Sequence, residues 1–215
     1  MKKLAITTAL LTAMTALVPA QAQAEVSASV AVANTYLWRG IDVSAGTAAV
    51  SGDLTYSTGG FTAQVWATSM NSDLGAEVDL VASYAWELES GLALDAGYIG
   101  YLFPKDNIEV GDINEIYLGA SLGAFSVYHY EDFSSDDGEM FLGDTDNRYT
   151  TLAVGHDKFS ALVGFDYGDV GYTHIDLGYA YNDSLSFSLS KIVENDDDYV
   201  GDDDLKFVLS YGVSF

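Results

Sequence analysis

His174 and Asp176 stand two residues apart in Tyr172-Thr-His-Ile-Asp-Leu-Gly178, so on an extended chain their side chains share a face. An imidazole beside an orienting carboxylate is the pairing that general-base chemistry needs. The same spacing arises when two polar residues line the wet face of a strand. The chain has three histidines (His129, His156 and His174) and no cysteine, and no nucleophile stands in a recognisable turn. The lining reading is preferred, and it predicts that His174 points inward near the outer end of its strand.

A second set of residues carries charge rather than catalysis. By strand parity Asp53, Glu77, Asp79, Asp95, Glu115 and Asp166 share the polar face with His174 and Asp176, and Arg39 joins them. An aqueous lumen lined this way is net negative and favours cations. The alternative is that Arg39 and its carboxylate neighbours form a salt-bridge plug across a narrow barrel. Arg39 is expected to pair inward, with Glu77 as first partner, because Tyr36 and Trp38 by parity point outward. Further carboxylates cluster at Asp136-Asp137, Asp144 and Asp146, and at Asp196-Asp-Asp198 with Asp202-Asp-Asp204. Such groups can hold calcium, but they lack the glycine-centred spacing of a helical calcium loop. They read as solvated loop charge, able to meet divalent ions that bridge lipopolysaccharide.

The elements that position these residues are strands. In the C-terminal stretch Phe207, Leu209, Tyr211, Val213 and Phe215 alternate with Val208, Ser210, Gly212 and Ser214, a period of two with one apolar face. A last strand that ends on an aromatic has the form of the assembly signal of outer-membrane β-barrels. About twelve alternating segments can be marked: 26–37, 48–57, 60–70, 76–87, 91–102, 113–123, 125–132, 148–157, 159–167, 171–182, 184–193 and 204–215. Long connections at 38–47, 103–112, 133–147 and 194–203 broadly alternate with short ones, as in barrels with long external loops and short periplasmic turns. Carboxylates in mid-strand would be ruinous in a dry sandwich core and are tolerable in a wet lumen. Aromatics near strand ends (Tyr36, Trp38, Tyr56, Trp86, Tyr98, Tyr181, Phe215) suit interfacial girdles.

The N-terminus reads as an export signal: Met-Lys-Lys, the apolar run Leu4 to Val18, then Ala22-Gln-Ala24. Cleavage after Ala24 is expected, leaving residues 25–215 as one barrel domain. Lys2 and Lys3 leave with the leader, which takes two from the eight basic residues against 32 acidic ones and moves the formal charge from −24 to about −26. That charge excludes nucleic acid as a partner. The expected partners are outer-membrane lipid and lipopolysaccharide, the barrel assembly machinery and small solutes. No motif calls for a cofactor or a catalytic metal.

The stretch Asn34-Thr-Tyr-Leu-Trp-Arg-Gly-Ile41 resembles the N-terminal pattern of the TorF-like porin family, which Tyr36, Arg39 and Gly40 fit. Gly60, Phe61, Trp66 and Ser69 match its following strand. Glu77-Val-Asp79 with Tyr84, Asp95 through Tyr101 before Pro104, and Glu115 through Ala120 are similar too. The family's Ser-Gln pair is replaced by Asp42-Val43, and its proline-alanine by Ala48-Ala49. The resemblance implies an outer-membrane barrel with a pore role and names no solute.

The expectation is therefore an all-β, antiparallel outer-membrane barrel of about twelve strands, not an enzyme. It would pass small neutral or cationic solutes by diffusion. The alternative is a non-conducting structural or surface-interaction barrel with acidic external loops.

Overall fold

A computed structural model describes residues 24–71, 73, 75–133, 148–168, 171–196 and 202–215. The leader and Asp136, Asp137, Asp144, Asp146, Asp197 and Asp198 lie outside the described residues.

In chain order the strands are β1 (Glu25–Ala33), β2 (Leu37–Trp38), β3 (Ile41–Asp42), β4 (Ala49–Thr58), β5 (Phe61–Ser69), β6 (Ala76–Glu87), β7 (Ala93–Phe103), β8 (Ile108–Leu122), β9 (Phe125–Asp132), β10 (Arg148–His156), β11 (Phe159–Asp166), β12 (Tyr172–Ala180), β13 (Leu185–Asn195) and β14 (Lys206–Ser214). Twelve of them form one closed antiparallel barrel, in which β1 pairs with β4 on one side and with β14 on the other. Closure leaves no unpaired sheet edge, the condition for strands to stand in a medium without water. β2 and β3 form a separate two-stranded hairpin.

Alternation sets the two surfaces. Outward positions carry bare apolar side chains, among them Leu54, Val65, Tyr84, Leu118, Leu152, Leu177 and Leu189. Phe207, Leu209, Tyr211 and Phe215 are exposed on this same face, and Val213 is half-buried. Inward positions near the short-turn rim are small or polar: Thr55, Gln64, Ser121, Ser126, Ser160, Ser186 and Ser188. Toward the other rim they become tyrosines and carboxylates, packed into a buried cluster that includes Trp66, Tyr101, Tyr117, Tyr128, Tyr130 and Tyr149.

The inward tyrosines lie flat over glycines on the neighbouring strand. A Cβ added at Gly119 would fall 2.2 Å from the Tyr128 ring, and one at Gly97 would fall 2.4 Å from Tyr117. These glycines are kept for close approach, not for turning.

The first long connection departs from expectation. The strand predicted over 26–37 ends at Ala33, and the chain then turns into the barrel. Asn34 pins the departure: its side chain accepts from the Leu209 N–H (2.6 Å) and donates to the Phe207 carbonyl (3.0 Å). Tyr36 and Trp38, placed on the lipid side by parity, are buried inside. Parity holds only while the chain stays in the sheet, and Leu37 and Trp38 instead pair with Asp42 and Ile41 across a two-residue turn at Arg39-Gly40. Both turn residues have positive φ, 49° and 84°, the backbone of a type I′ hairpin, which glycine adopts without strain. The connection expected over 103–112 is shorter, a turn at 104–107: Phe103 pairs with Ile108 and the strands run on past a break in register.

Candidate functional site: a hairpin bar inside the barrel

Residues 34–48 cross the interior as a short bar. At its base Asp42 organises the backbone. Its Oδ1 accepts from the Thr35 hydroxyl (2.8 Å), the Ser44 hydroxyl (2.9 Å) and the Ser44 N–H (3.0 Å), while Oδ2 accepts from the Gly46 N–H (2.8 Å). The Ser44 Oγ also accepts from the Tyr36 N–H at 2.9 Å. Tyr36 packs on Trp66 of β5, with ring centroids 5.8 Å apart, and its hydroxyl lies beside Glu77 of β6.

The tip reaches the far wall. The Nη2 of Arg39 donates to both carboxylate oxygens of Glu115 on β8, at 2.6 and 2.7 Å. The Tyr101 hydroxyl of β7 donates to the same carboxylate at 2.7 Å. The guanidinium carbon lies 4.3 Å from the Tyr149 ring centroid, 4.5 Å from Trp38 and 5.2 Å from Tyr130. The ion pair is almost fully enclosed, with side-chain exposures of 4% and 0%. Such a pair contributes little net stability but is costly to break from one side.

Arg39 does face inward, but its partner is Glu115 and not Glu77. Glu77 sits on the wall near the base of the bar, next to Tyr36, whereas the turn carries Arg39 across to β8. The remaining sites fall as follows. Glu77 and Asp79 are neighbours along β6, both buried. Asp53 is half-buried and accepts from the hydroxyls of Ser29 and Thr55. Asp95 is buried beside Tyr117, toward the short-turn rim. Asp166 accepts from the Gly168 N–H at 3.0 Å. Asp132, also buried, was not singled out from the sequence, although it continues the parity of Tyr128 and Tyr130.

His174 and Asp176 do come together, at 3.3 Å, and the His174 Nε2 meets the Tyr149 hydroxyl at 2.6 Å. A ring carrying its proton on Nδ1 satisfies both contacts. His174 is fully buried, stacked on Tyr149 at 5.9 Å and 5°. Backbone closes around it: a Cβ at Gly164 would lie 2.2 Å from Nε2, and one at Gly40 would lie 2.8 Å from the ring. Enclosed by these two backbones and by Tyr149, the imidazole packs the bar against the wall.

The interior tyrosines were the residues missed. Tyr117 shares the parity of Glu115, Tyr101 that of Asp95, and Tyr128 and Tyr130 that of Asp132. That signal was present, but aromatic residues suggest an interfacial girdle first.

Among the described residues the trio able to offer metal ligands is Asp202, Asp203 and Asp204, all exposed. Lys206 already donates to Asp202 at 2.6 Å. That ammonium, followed by the Asp204 N–H, holds the Asp202 carboxyl below its ordinary range.

The fold is thus a closed twelve-strand antiparallel barrel, apolar outside, with buried carboxylates and tyrosines within. The chain belongs to a bacterial family of unknown function, Gcw_chp, whose model matches residues 18–201. Among solved structures it is similar to the KdgM porin at 10% identity and a TM-score of 0.49, over 88% of this chain and 98% of that one. No curated protein matches it.

Proposed function

We propose that the protein is an outer-membrane, porin-like barrel for passive diffusion of small neutral or cationic solutes, with residues 34–48 as its constriction. The observation that carries this is the charge of the interior. Among the described residues Arg39, paired with Glu115, is the inward arginine, and it shares the interior with Asp53, Glu77, Asp79, Asp95, Asp132, Asp166 and Asp176. A path lined this way repels anions and admits cations. The export signal with cleavage after Ala24 and the TorF-like resemblance belong to the same reading.

One observation favours a second reading. The bar fills the carboxylate-rich half of the interior, as a non-conducting structural or surface-interaction barrel requires. The test is to replace residues 35–48 by a short Asn-Gly turn, which is feasible because Ala33 and Ala49 are register partners. Single-channel recording of the refolded variant should show conductance several-fold above the intact protein, with a reversal potential favouring cations. A variant that forms a barrel and stays silent would leave the non-conducting reading in place.

The outward face of Phe207, Leu209, Tyr211, Val213 and Phe215 is proposed as the element read by the assembly machinery. Deleting Phe215 should leave export intact and reduce the heat-modifiable, folded form in outer membranes. Unchanged mobility of that variant would remove the role.

A further inference from the structure

The groups that hold Arg39 belong, with the exception of Trp38, to the barrel wall. Glu115 comes from β8, Tyr101 from β7, Tyr130 from β9 and Tyr149 from β10. Together they offer a carboxylate oriented by a tyrosine hydroxyl, with two ring faces turned to one point. This is the chemistry that recognises a delocalised organic cation, which is attracted to ring faces and is weakly hydrated. The guanidinium is delivered on a turn of a hairpin whose two strands have two residues each. Its tether is short, and every group that holds it except Trp38 stays on the wall when the bar moves.

We propose that the wall carries a receptor site for a guanidinium-bearing solute, which Arg39 occupies as a tethered ligand. This rests on the reading of the interior as a path for cations and names the solute class. An entering guanidinium exchanges with Arg39 for Glu115 and the rings of Tyr130 and Tyr149. The tip of the bar is released when that exchange occurs, so the solute itself relieves the constriction. A sodium ion cannot exchange in this way, because it has no planar face to lay on the rings and is strongly hydrated.

The test uses the refolded mature barrel with Arg39→Ala, which empties the site, and methylguanidinium chloride as the probe. Thermal unfolding in detergent should rise saturably, with half-saturation at roughly millimolar probe. Sodium chloride at the same ionic strength and urea should leave it unchanged. The double variant Arg39→Ala/Glu115→Gln should lose the response by about tenfold or more, and the intact protein should respond more weakly than Arg39→Ala because its own arginine competes. If Arg39→Ala does not fold alone, millimolar methylguanidinium in the refolding buffer should restore the folded mobility and sodium chloride should not. No response, or an equal response in the double variant, would overturn the proposal. The readout is binding, so an Arg39→Ala barrel that conducts without binding removes the receptor and keeps the pore. One that binds without conducting does the reverse.

Discussion

Glu115→Ala in the refolded barrel should lower the unfolding free energy by about 3–5 kcal/mol, the cost of leaving a buried charge without its partner. The Arg39 guanidinium would remain among Trp38, Tyr130 and Tyr149, with 4% of its side chain exposed and its counter-ion gone. Arg39→Ala should cost a comparable amount for the converse reason, since Glu115 is wholly enclosed and would keep only the Tyr101 hydroxyl. The double variant should cost clearly less than the two single losses together, because neither charge is then stranded. Urea unfolding of the three variants, followed by tryptophan fluorescence, measures this cycle. Additive losses would show that the two side chains do not act as a pair. In a conducting barrel Arg39→Ala should also raise cation preference, read as the reversal potential under a salt gradient.

Gly164→Ala should be among the most damaging single-methyl changes in the wall, at about 3 kcal/mol, the upper end of overpacking costs. The added Cβ would lie 2.2 Å from the His174 Nε2 and 2.3 Å from the Tyr149 hydroxyl. Neither atom is the free end of a flexible chain: the two rings are stacked, and Tyr149 also bears on Arg39. Relief requires separating β11 from the rings or displacing the tip of the bar, so the variant should lose stability and loosen the constriction together. Gly155→Ala is the matched control, since a Cβ there meets nothing within 4 Å. Thermal unfolding of both variants decides the matter, and equal melting temperatures would show that Tyr149 and His174 can move aside.

Much of the molecule was legible because a strand writes its two faces into the chain at a period of two, a property of the local backbone that needs no knowledge of neighbours. Twelve segments and their order follow from that, as do the inward positions of Glu77, Asp79, Asp95, Glu115, Asp166, His174 and Asp176 and the outward row that ends at Phe215. The pairing of His174 with Asp176 was legible for the same reason, since residues two apart on one strand are neighbours whatever surrounds them.

The bar was decided by turn chemistry and by packing. Leu37-Trp-Arg-Gly-Ile-Asp42 contains a glycine at a turn position, yet the apolar alternation running into Tyr36 and Trp38 looks the same whether the chain stays in the wall or leaves it. Only the closed barrel, with its interior of rings and carboxylates, makes burial of that segment favourable. The partner of Arg39 was beyond reach for a related reason. Glu115 lies 76 residues away on the opposite wall, and which wall residue faces a hairpin tip depends on strand number, register and curvature together. None of those is a local property of the chain, so the sequence by itself determined which residues face inward, and the tertiary structure alone decided which of them meet.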